Sequence, residues 1–557
     1  MPAPEPGPLA LERPGPFPLP SRWTVAALGV VAVLAVPVVA VLASLLHPSR
    51  EIWIHLWRTQ LLELLANTLL LLLGVGAGTL VVGAGLAWLV VHHRFPGRGL
   101  FEWALILPLA VPSYVIGFAF LGLFDFAGPV QMGLRSWLGP GFRLPEIPSY
   151  GGVTAMMVLV FYPYVYLLAR SAFREQGGAT LETARSLGRS RGRAFLEVTL
   201  PMARPALAVG VALAMMEALA DFGTVATFGY RTLTEAIYRV WYGMFERDAA
   251  TQLAALLLLF ALALLAFERA SRGRARFTQG ARRGLEVTPA ALEGWKAWAA
   301  PGVCAAVLGA GFLLPVGQLT TWAVASFREG GAAAAALPGV ARNTVLLAGT
   351  ASLLACLIAV VLAYAGRLDR SPAVRLSAQF ASMGYALPGA VIAVGILVPM
   401  AWLDHALTPS LERMLGHPVG LLLTGSAAGL VFAYLVRFLA VGYQTVDASL
   451  ARISPSLDDA ARSLGAGATG ALRRVHLPLM RGGLLTALIL VFVETMKEMP
   501  ATLLLRPFGL DTLSVAVWAA TSEGQWQEAA VPALAIVAAG LVPVALALRL
   551  SSRSTRS

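Results

Sequence analysis

Lysine and cysteine are almost absent from this chain, and charge as a whole is scarce. Of the 42 basic residues only two are lysines, Lys296 and Lys497, and the other forty are arginines. A phosphate-binding loop needs Gly-Lys followed by Ser or Thr. Lys296 follows Trp295 and Lys497 follows Met496, so neither supplies one, and any ATP chemistry has to come from a separate protein. The two cysteines, Cys304 and Cys356, both lie in apolar stretches. They exclude a disulfide framework and a metal-ligand spacing, and they read as small buried hydrophobes. Charged residues make up 13% of the 557 positions, against about a quarter in a soluble domain. What fills their place is apolar: 57% of the residues are hydrophobic and the mean hydropathy is +0.72. Such a chain belongs in a bilayer. Its excess of 42 basic over 30 acidic residues therefore points to charge sorting across a membrane, not to a nucleic-acid surface.

Residues 1–22 carry proline at 2, 4, 6, 8, 14, 16, 18 and 20, a density that blocks helix and predicts a disordered tail. The apolar run from Trp23 to Leu46 is longer than a signal-peptide core and is expected to remain as a span. Further runs of spanning length lie near 64–91, 101–124, 150–170, 205–220, 250–267, 298–320, 343–366, 378–403, 421–443, 482–499 and 529–549, which makes twelve. With alternating segments and a cytoplasmic N-terminal tail, 29 of the basic residues fall on the inner side and 12 on the outer, with Arg437 left inside a span. The positive-inside rule then places both termini in the cytoplasm.

The chain also repeats itself. Ala66-Asn67-Thr68-Leu69 matches Arg342-Asn343-Thr344-Val345 at an offset of 276, and Pro112 matches Pro388 at the same offset. Glu217 maps to Glu494 and Trp241 to Trp518 at 277. Two copies of six spans insert in the same orientation, because six is even, so the repeat is parallel about an axis along the membrane normal. The expectation is an all-α integral membrane protein of twelve transmembrane helices in two parallel six-helix repeats. Its parts are a tail (1–22), a first repeat (23–268), a linker (269–296), a second repeat (297–550) and a tail (551–557).

The most informative duplication lies between the fourth and fifth spans of each half. One copy reads Glu182-Thr183-Ala184, three residues, Gly188, nine residues, Val198-Thr199-Leu200-Pro201; the other reads Asp459-Ala460-Ala461, three residues, Gly465, nine residues, Val475-His476-Leu477-Pro478. Small residues let a short helix be approached closely, and each glycine frees the backbone to turn. Each proline suits the first turn of the next span, where no amide donor is needed. A loop that merely set topology would explain the arginines but not the duplicate spacing. The pattern resembles the EAA loop of binding-protein-dependent ABC importer permeases. Thr183 stands where alanine is usual and Asp459 where glutamate is usual, both mild departures. The resemblance implies a type I importer permease in the cell inner membrane, whose two loops form coupling helices that dock into two copies of a cytoplasmic ABC ATPase. It implies no cofactor bound by this chain, with ATP and Mg used by the partner ATPase.

Within that family, Glu494-Thr495-Met496-Lys497-Glu498-Met499-Pro500-Ala501-Thr502 and Ala220-Asp221-Phe222-Gly223-Thr224 are similar to segments of ferric-iron permeases with two fused halves, as is Pro112-Ser113-Tyr114-Val115-Ile116-Gly117. This implies ferric iron as cargo, delivered by a periplasmic or lipid-anchored ferric-binding protein. Fused thiamine permeases share the layout. A twelve-span secondary transporter would also show parallel halves, but it would need no duplicated docking loops.

Glu217 and Asp221 are four residues apart, as are Glu494 and Glu498, so each pair is expected on one helix face near the outer end of a fifth span. Ionisable groups there face a cavity or a partner. On one reading the four form an acidic ring on the translocation pathway, since a hard cation favours oxygen ligands. On the other, Lys497, Arg506, Arg231 or Arg239 neutralise them as structural ion pairs. The second takes precedence, because transient transfer requires no tight site, and no metal ligand is assigned. His92-His93 read as interfacial, and segments 225–249 and 500–528 read as interfacial helices anchored by Tyr230, Tyr238, Trp241, Tyr242, Trp518 and Trp526.

Overall fold

Apolar runs that cannot leave amides unpaired in hydrocarbon have to close their hydrogen bonds within the segment, and this chain does so as helices. A computed structural model describes residues 22–46, 50–176, 186, 188–272, 289–369 and 371–554. Eleven of its helices are long and apolar enough to cross a membrane, and a twelfth candidate is a pair, Ala468–Leu479 and Arg481–Lys497, bent by 77°. We call the six of the first half spans 1–6: Arg22–Ala43, Leu61–His92, Ser113–Phe124, Tyr150–Glu175, Leu200–Ala220 and Arg247–Arg272. Spans 1′–6′ of the second half are Trp295–Glu329, Ala332–Leu368, Gly389–Leu415, Ala427–Ala451, Arg481–Lys497 and Trp526–Ser554.

The third spans depart from the expected 101–124 and 378–403. The chain is broken into Arg98–Ala104, a turn at Leu107–Ala110 and then span 3, and likewise into Pro372–Ala381, a turn at Gly384–Ala386 and span 3′. Pro112 and Pro388 cause the break. Each sits at an extended ψ (143° and 138°) just before its span, where the missing amide costs nothing.

The repeated Asn-Thr has a structural reason. Thr68 Oγ1 accepts from the Leu233 amide at 3.0 Å and Thr344 Oγ1 from the Leu513 amide at 2.9 Å. Asn67 Nδ2 donates to the Arg231 carbonyl at 3.0 Å and Asn343 Nδ2 to the Asp511 carbonyl at 3.1 Å. In each half, span 2 thus ties down the segment that follows span 5, satisfying backbone groups that would otherwise be orphaned.

The halves interlock. Spans 1 and 6 pack on span 3′, and spans 1′ and 6′ pack on span 3. A Cβ added to Gly395 would lie 2.4 Å from the Pro37 carbonyl oxygen, and one on Gly540 would lie 2.0 Å from that of Ala110, so both crossings need glycine. Thr24 Oγ1 of span 1 also donates to Asp369 Oδ2 at 2.7 Å, in the loop after span 2′. That hydroxyl, with the Ser371 amide, holds the Asp369 carboxyl below the usual carboxylate range.

Gly384, in the turn before span 3′, offers a clean test of this packing. A Cβ there would meet the Val436 carbonyl oxygen at 2.0 Å, whereas one on Gly85 would meet nothing within 4 Å. Gly384→Ala is expected to cost about 1–3 kcal/mol, the range for overpacking a close-packed interior. Thermal unfolding in detergent, with Gly85→Ala as the neutral control, checks it.

The ends of spans are tightly packed. His92 and His93, at the end of span 2, are buried in protein. They sit in an aromatic nest, with the Trp88 and His93 ring centroids 4.4 Å apart and those of His92 and Phe173 5.8 Å apart. The segments after the fifth spans, expected as interfacial helices with aromatic anchors, turn some of those aromatics inward. They fold into short helices, Gly223–Thr227 and Leu233–Tyr238 in one half and Pro500–Leu505 and Leu513–Ser522 in the other. Their aromatics meet across the halves: Tyr238 is buried and donates to the Pro500 carbonyl at 2.6 Å, and the Phe222 ring lies 4.9 Å from Trp518.

Candidate functional site

Two regions stand out, one at each end of the fourth and fifth spans. In the second half, Ser454 caps the helix Pro455–Ser463, which carries Asp459, Ala460 and Ala461. The helix stops at Gly465, which takes φ +79° and donates its amide to the Arg462 carbonyl at 2.9 Å. A side chain at that φ is strained, so glycine is the residue that ends the helix here. A π turn over Leu472–His476 then delivers Leu477 and Pro478. In the first half, Glu182 and Ala184 lie outside the described residues. Gly188 takes φ +82°, and a π turn over Phe195–Thr199 delivers Leu200 and Pro201 into span 5. The duplicate spacing thus encodes the same left-handed glycine and the same π turn.

The Pro455–Ser463 helix has a fixed side and a free side. Asp458 accepts from Arg367 Nε at 2.9 Å and NH2 at 2.6 Å, and lies 2.7 Å from Nε2 of the buried His476. Arg367, at the end of span 2′, also donates to the Leu450 and Ile453 carbonyls at 2.9 and 3.0 Å. One planar guanidinium therefore ties span 2′ to the end of span 4′ and to the helix beyond it. On the free side, Leu457, Asp459, Ala460 and Leu464 are exposed, Leu464 at 87%. An apolar side chain so placed on a polar helix fits a contact surface.

At the other end of these spans, both halves enclose a cavity of about 100 Å³. Its walls pair off by the repeat: Val160 with Arg437, Phe161 with Phe438, Glu217 with Glu494, Ala220 with Lys497, Asp221 with Glu498 and Gly223 with Pro500. All four acidic residues singled out in the sequence line it. They do not, however, form two pairs on two helix faces. Span 5 ends at Ala220 and span 5′ at Lys497, where Asp221 and Glu498 turn to ψ 103° and 115°. Each then caps the short helix that follows. Asp221 accepts from the Thr224 amide at 2.9 Å and hydroxyl at 2.5 Å, and Glu498 from the Ala501 amide at 2.9 Å.

Lys497 donates to Glu494 Oε1 at 2.8 Å, and Arg437 lies 3.2 Å from Glu498 Oε2. Glu217 accepts from Tyr164 Oη at 3.3 Å, which in turn lies 3.4 Å from Tyr385 Oη of the other half. The other candidate partners are engaged elsewhere: Arg506 with Asp511, Arg231 with Glu63 and Arg239 with Glu235. Among the described residues, no three His, Cys, Asp or Glu side chains converge as around a bound metal. Four carboxylates and two cations line the cavity.

Arg437, Tyr164 and Tyr385 are polar lining residues that sequence reasoning missed. Arg437 carried a signal, since a lone arginine within a span is a candidate by itself. The tyrosines carried none, because aromatic residues in spans are commonplace.

Span 4′ continues from the cavity toward the Pro455–Ser463 helix. Gln444 and Ala448 follow Arg437 at 7 and 11 residues, on the same face. They line a groove of about 1240 Å³ that reaches Ser454 and Leu457 on one wall and Thr486 and Gly482 of span 5′ on the other. At the opposite side of the cavity, the Tyr238–Pro500 and Phe222–Trp518 contacts close the two halves together.

Residues 79–271 and 355–557 each match the family described as binding-protein-dependent transport system inner membrane component. The chain is 27% identical over 497 residues to an Fe(3+)-transport system permease protein of Haemophilus influenzae, covering 88% of this chain and 90% of that one. It is 29% identical over 239 residues to the sulfate transport system permease protein of Escherichia coli, covering 42% and 84%. With the molybdenum transport system permease protein of Escherichia coli it shares 31% over 188 residues, covering 33% and 78%.

Proposed function

We propose that this chain, which belongs to the family of binding-protein-dependent transport system inner membrane components, carries ferric iron through the cavity between its two halves. The observation that carries this reading is the carboxylate-rich lining of that cavity. A lining of four carboxylates and two cations favours a cation over sulfate or molybdate. The ferric relative also matches across both halves, whereas the sulfate and molybdenum relatives match a stretch the length of one. A cavity of about 100 Å³ suits a partly hydrated ion better than the two-ring cation thiamine.

On this reading, two copies of a cytoplasmic ATPase dock on the motif loops, and ATP and Mg belong to them. A ferric-binding protein delivers iron at the opposite face, and both termini are cytoplasmic. The large groove is then an inner vestibule, and the closed Tyr238–Pro500 side is the outer gate. Nucleotide-driven approach of the ATPases would move the Pro455–Ser463 helix, and Arg367 would pass that motion to spans 2′ and 4′.

Arg367→Ala is accordingly expected to weaken ATPase docking by about 10- to 100-fold, the scale of losing charge-assisted hydrogen bonds. Arg367→Lys should recover little, because one ammonium cannot serve Asp458 and several carbonyls together. Titration of the purified ATPase against each variant checks it. The function itself is tested by reconstituting the chain with its ATPase and binding protein and measuring ATP-dependent uptake of labelled ferric iron, sulfate, molybdate and thiamine. Uptake confined to ferric iron supports the reading, and uptake of an oxyanion contradicts it.

A further inference from the structure

The two halves build the cavity from matched positions, yet its two cations come from one half. Where the second half has Arg437 and Lys497, the first has Val160 and Ala220. Arg437 is spoken for by Glu498, which also caps the Pro500–Leu505 helix. Lys497 has a different standing. It lies at the end of span 5′, three residues from the carboxylate it holds, and its partner Glu494 is the repeat mate of Glu217. Glu217 lines the same cavity with the hydroxyls of Tyr164 and Tyr385 for partners, and Arg437 and Lys497 act on it at longer range. Lysine is also the unusual choice in a chain with forty arginines. An ammonium on a flexible stem can leave one carboxylate for another position, whereas a guanidinium locked in a fork does so less readily.

A second feature indicates that the cavity is built to hold something. Tyr114, 6% exposed, and Arg437, 9% exposed, both line it, and neither Tyr114 Oη nor Arg437 Nε has a hydrogen-bond partner. A buried donor left without an acceptor is costly unless a ligand supplies the oxygen. The waters of a hydrated ion would do so.

We propose that Lys497 is a resident counter-cation: its ammonium holds Glu494 while the cavity is empty, is displaced when a multivalent hydrated cation enters between Glu494 and Glu217, and drives that cation out on its return. This rests on the reading of the cavity as a cation pathway. Release is then built into the site, with binding kept weak by a competitor attached to the chain itself. Tyr114 and Arg437 then face the water shell of the ion, and Ala220, standing where the second half has Lys497, puts no cation of the first half beside Glu217.

The test uses the full-length permease in phosphatidylcholine nanodiscs with terbium(III) as the trivalent probe, read by luminescence sensitised by the nearby tyrosines. Lys497→Met is expected to bind terbium about tenfold more tightly than the natural chain, the scale of removing one competing charge. Lys497→Arg should bind no more tightly than the natural chain, since a guanidinium leaves Glu494 less readily, and adding Glu217→Gln to Lys497→Met should abolish the gain. Lys497→Gln replaces the methionine variant if that protein is not monodisperse. Equal or weaker binding by both neutral variants overturns the proposal, as does equal tightening by Lys497→Arg or no terbium binding by any form. If ferric uptake is found but terbium binding does not tighten, Lys497 is a structural partner and only this inference falls. If uptake proves to be of an oxyanion, the reading beneath it falls whatever terbium does.

Discussion

Arg437→Met is expected to destabilise the protein by about 3–5 kcal/mol, the cost of stripping one partner from a buried ion pair. Arg437 sits within span 4′ with its guanidinium 3.2 Å from Glu498 Oε2, and Glu498 is 4% exposed. Gly389 makes room for the pair, since a Cβ there would lie 2.4 Å from both Arg437 NH1 and Glu498 Oε1. With the arginine gone, an ionised carboxylate would remain in a low-dielectric site with the Ala501 amide and no compensating charge. Arg437→Met/Glu498→Gln should recover most of the loss, because the glutamine oxygen can still accept from Ala501 while no charge is stranded. The apparent unfolding temperature in detergent, measured around the full double-mutant cycle, checks both steps. A single variant as stable as the natural chain would mean that the pair is no structural element.

Glu217→Gln/Glu494→Gln should act in the opposite manner, with little effect on folding and a large one on transport. Neither carboxylate caps a helix, and glutamine keeps the shape and can still accept from Tyr164 and from Lys497. What is lost is charge on the two repeat-matched positions that face the cavity from opposite halves. Losing two charge-assisted contacts, each about a factor of ten, predicts uptake lower by on the order of 100-fold. Either single substitution should fall between.

Much of this was legible beforehand, for reasons that differ by element. Twelve spans could be counted because a helix in lipid needs about 20 apolar residues and little else to declare itself. The repeat could be read from Asn67-Thr68 and Asn343-Thr344, whose side chains turned out to anchor the same segment in each half. Gly188 and Gly465 were readable because only glycine is at ease at their positive φ. The exchange of spans 1 and 1′ onto the opposite third spans was not, since an apolar run states that it is buried but not against what. The four-residue spacing of Glu217 and Asp221 misled for a local reason: the helix ends between them, and a carboxylate at such an end serves as the cap of the next helix. The placement of all four acids in one cavity, the partner of Glu498 and the role of Tyr164 needed tertiary structure.

If cargo passes between Glu217 and Glu494, ATP-dependent uptake by the double glutamine variant is where the loss must show. The variant would be reconstituted with its ATPase and binding protein at the same abundance as the natural chain, with ATP hydrolysis followed in parallel. Ferric uptake is expected to fall to about one hundredth while the assembled complex stays intact. Uptake at the natural rate from an intact complex would contradict it and would move the pathway away from this cavity.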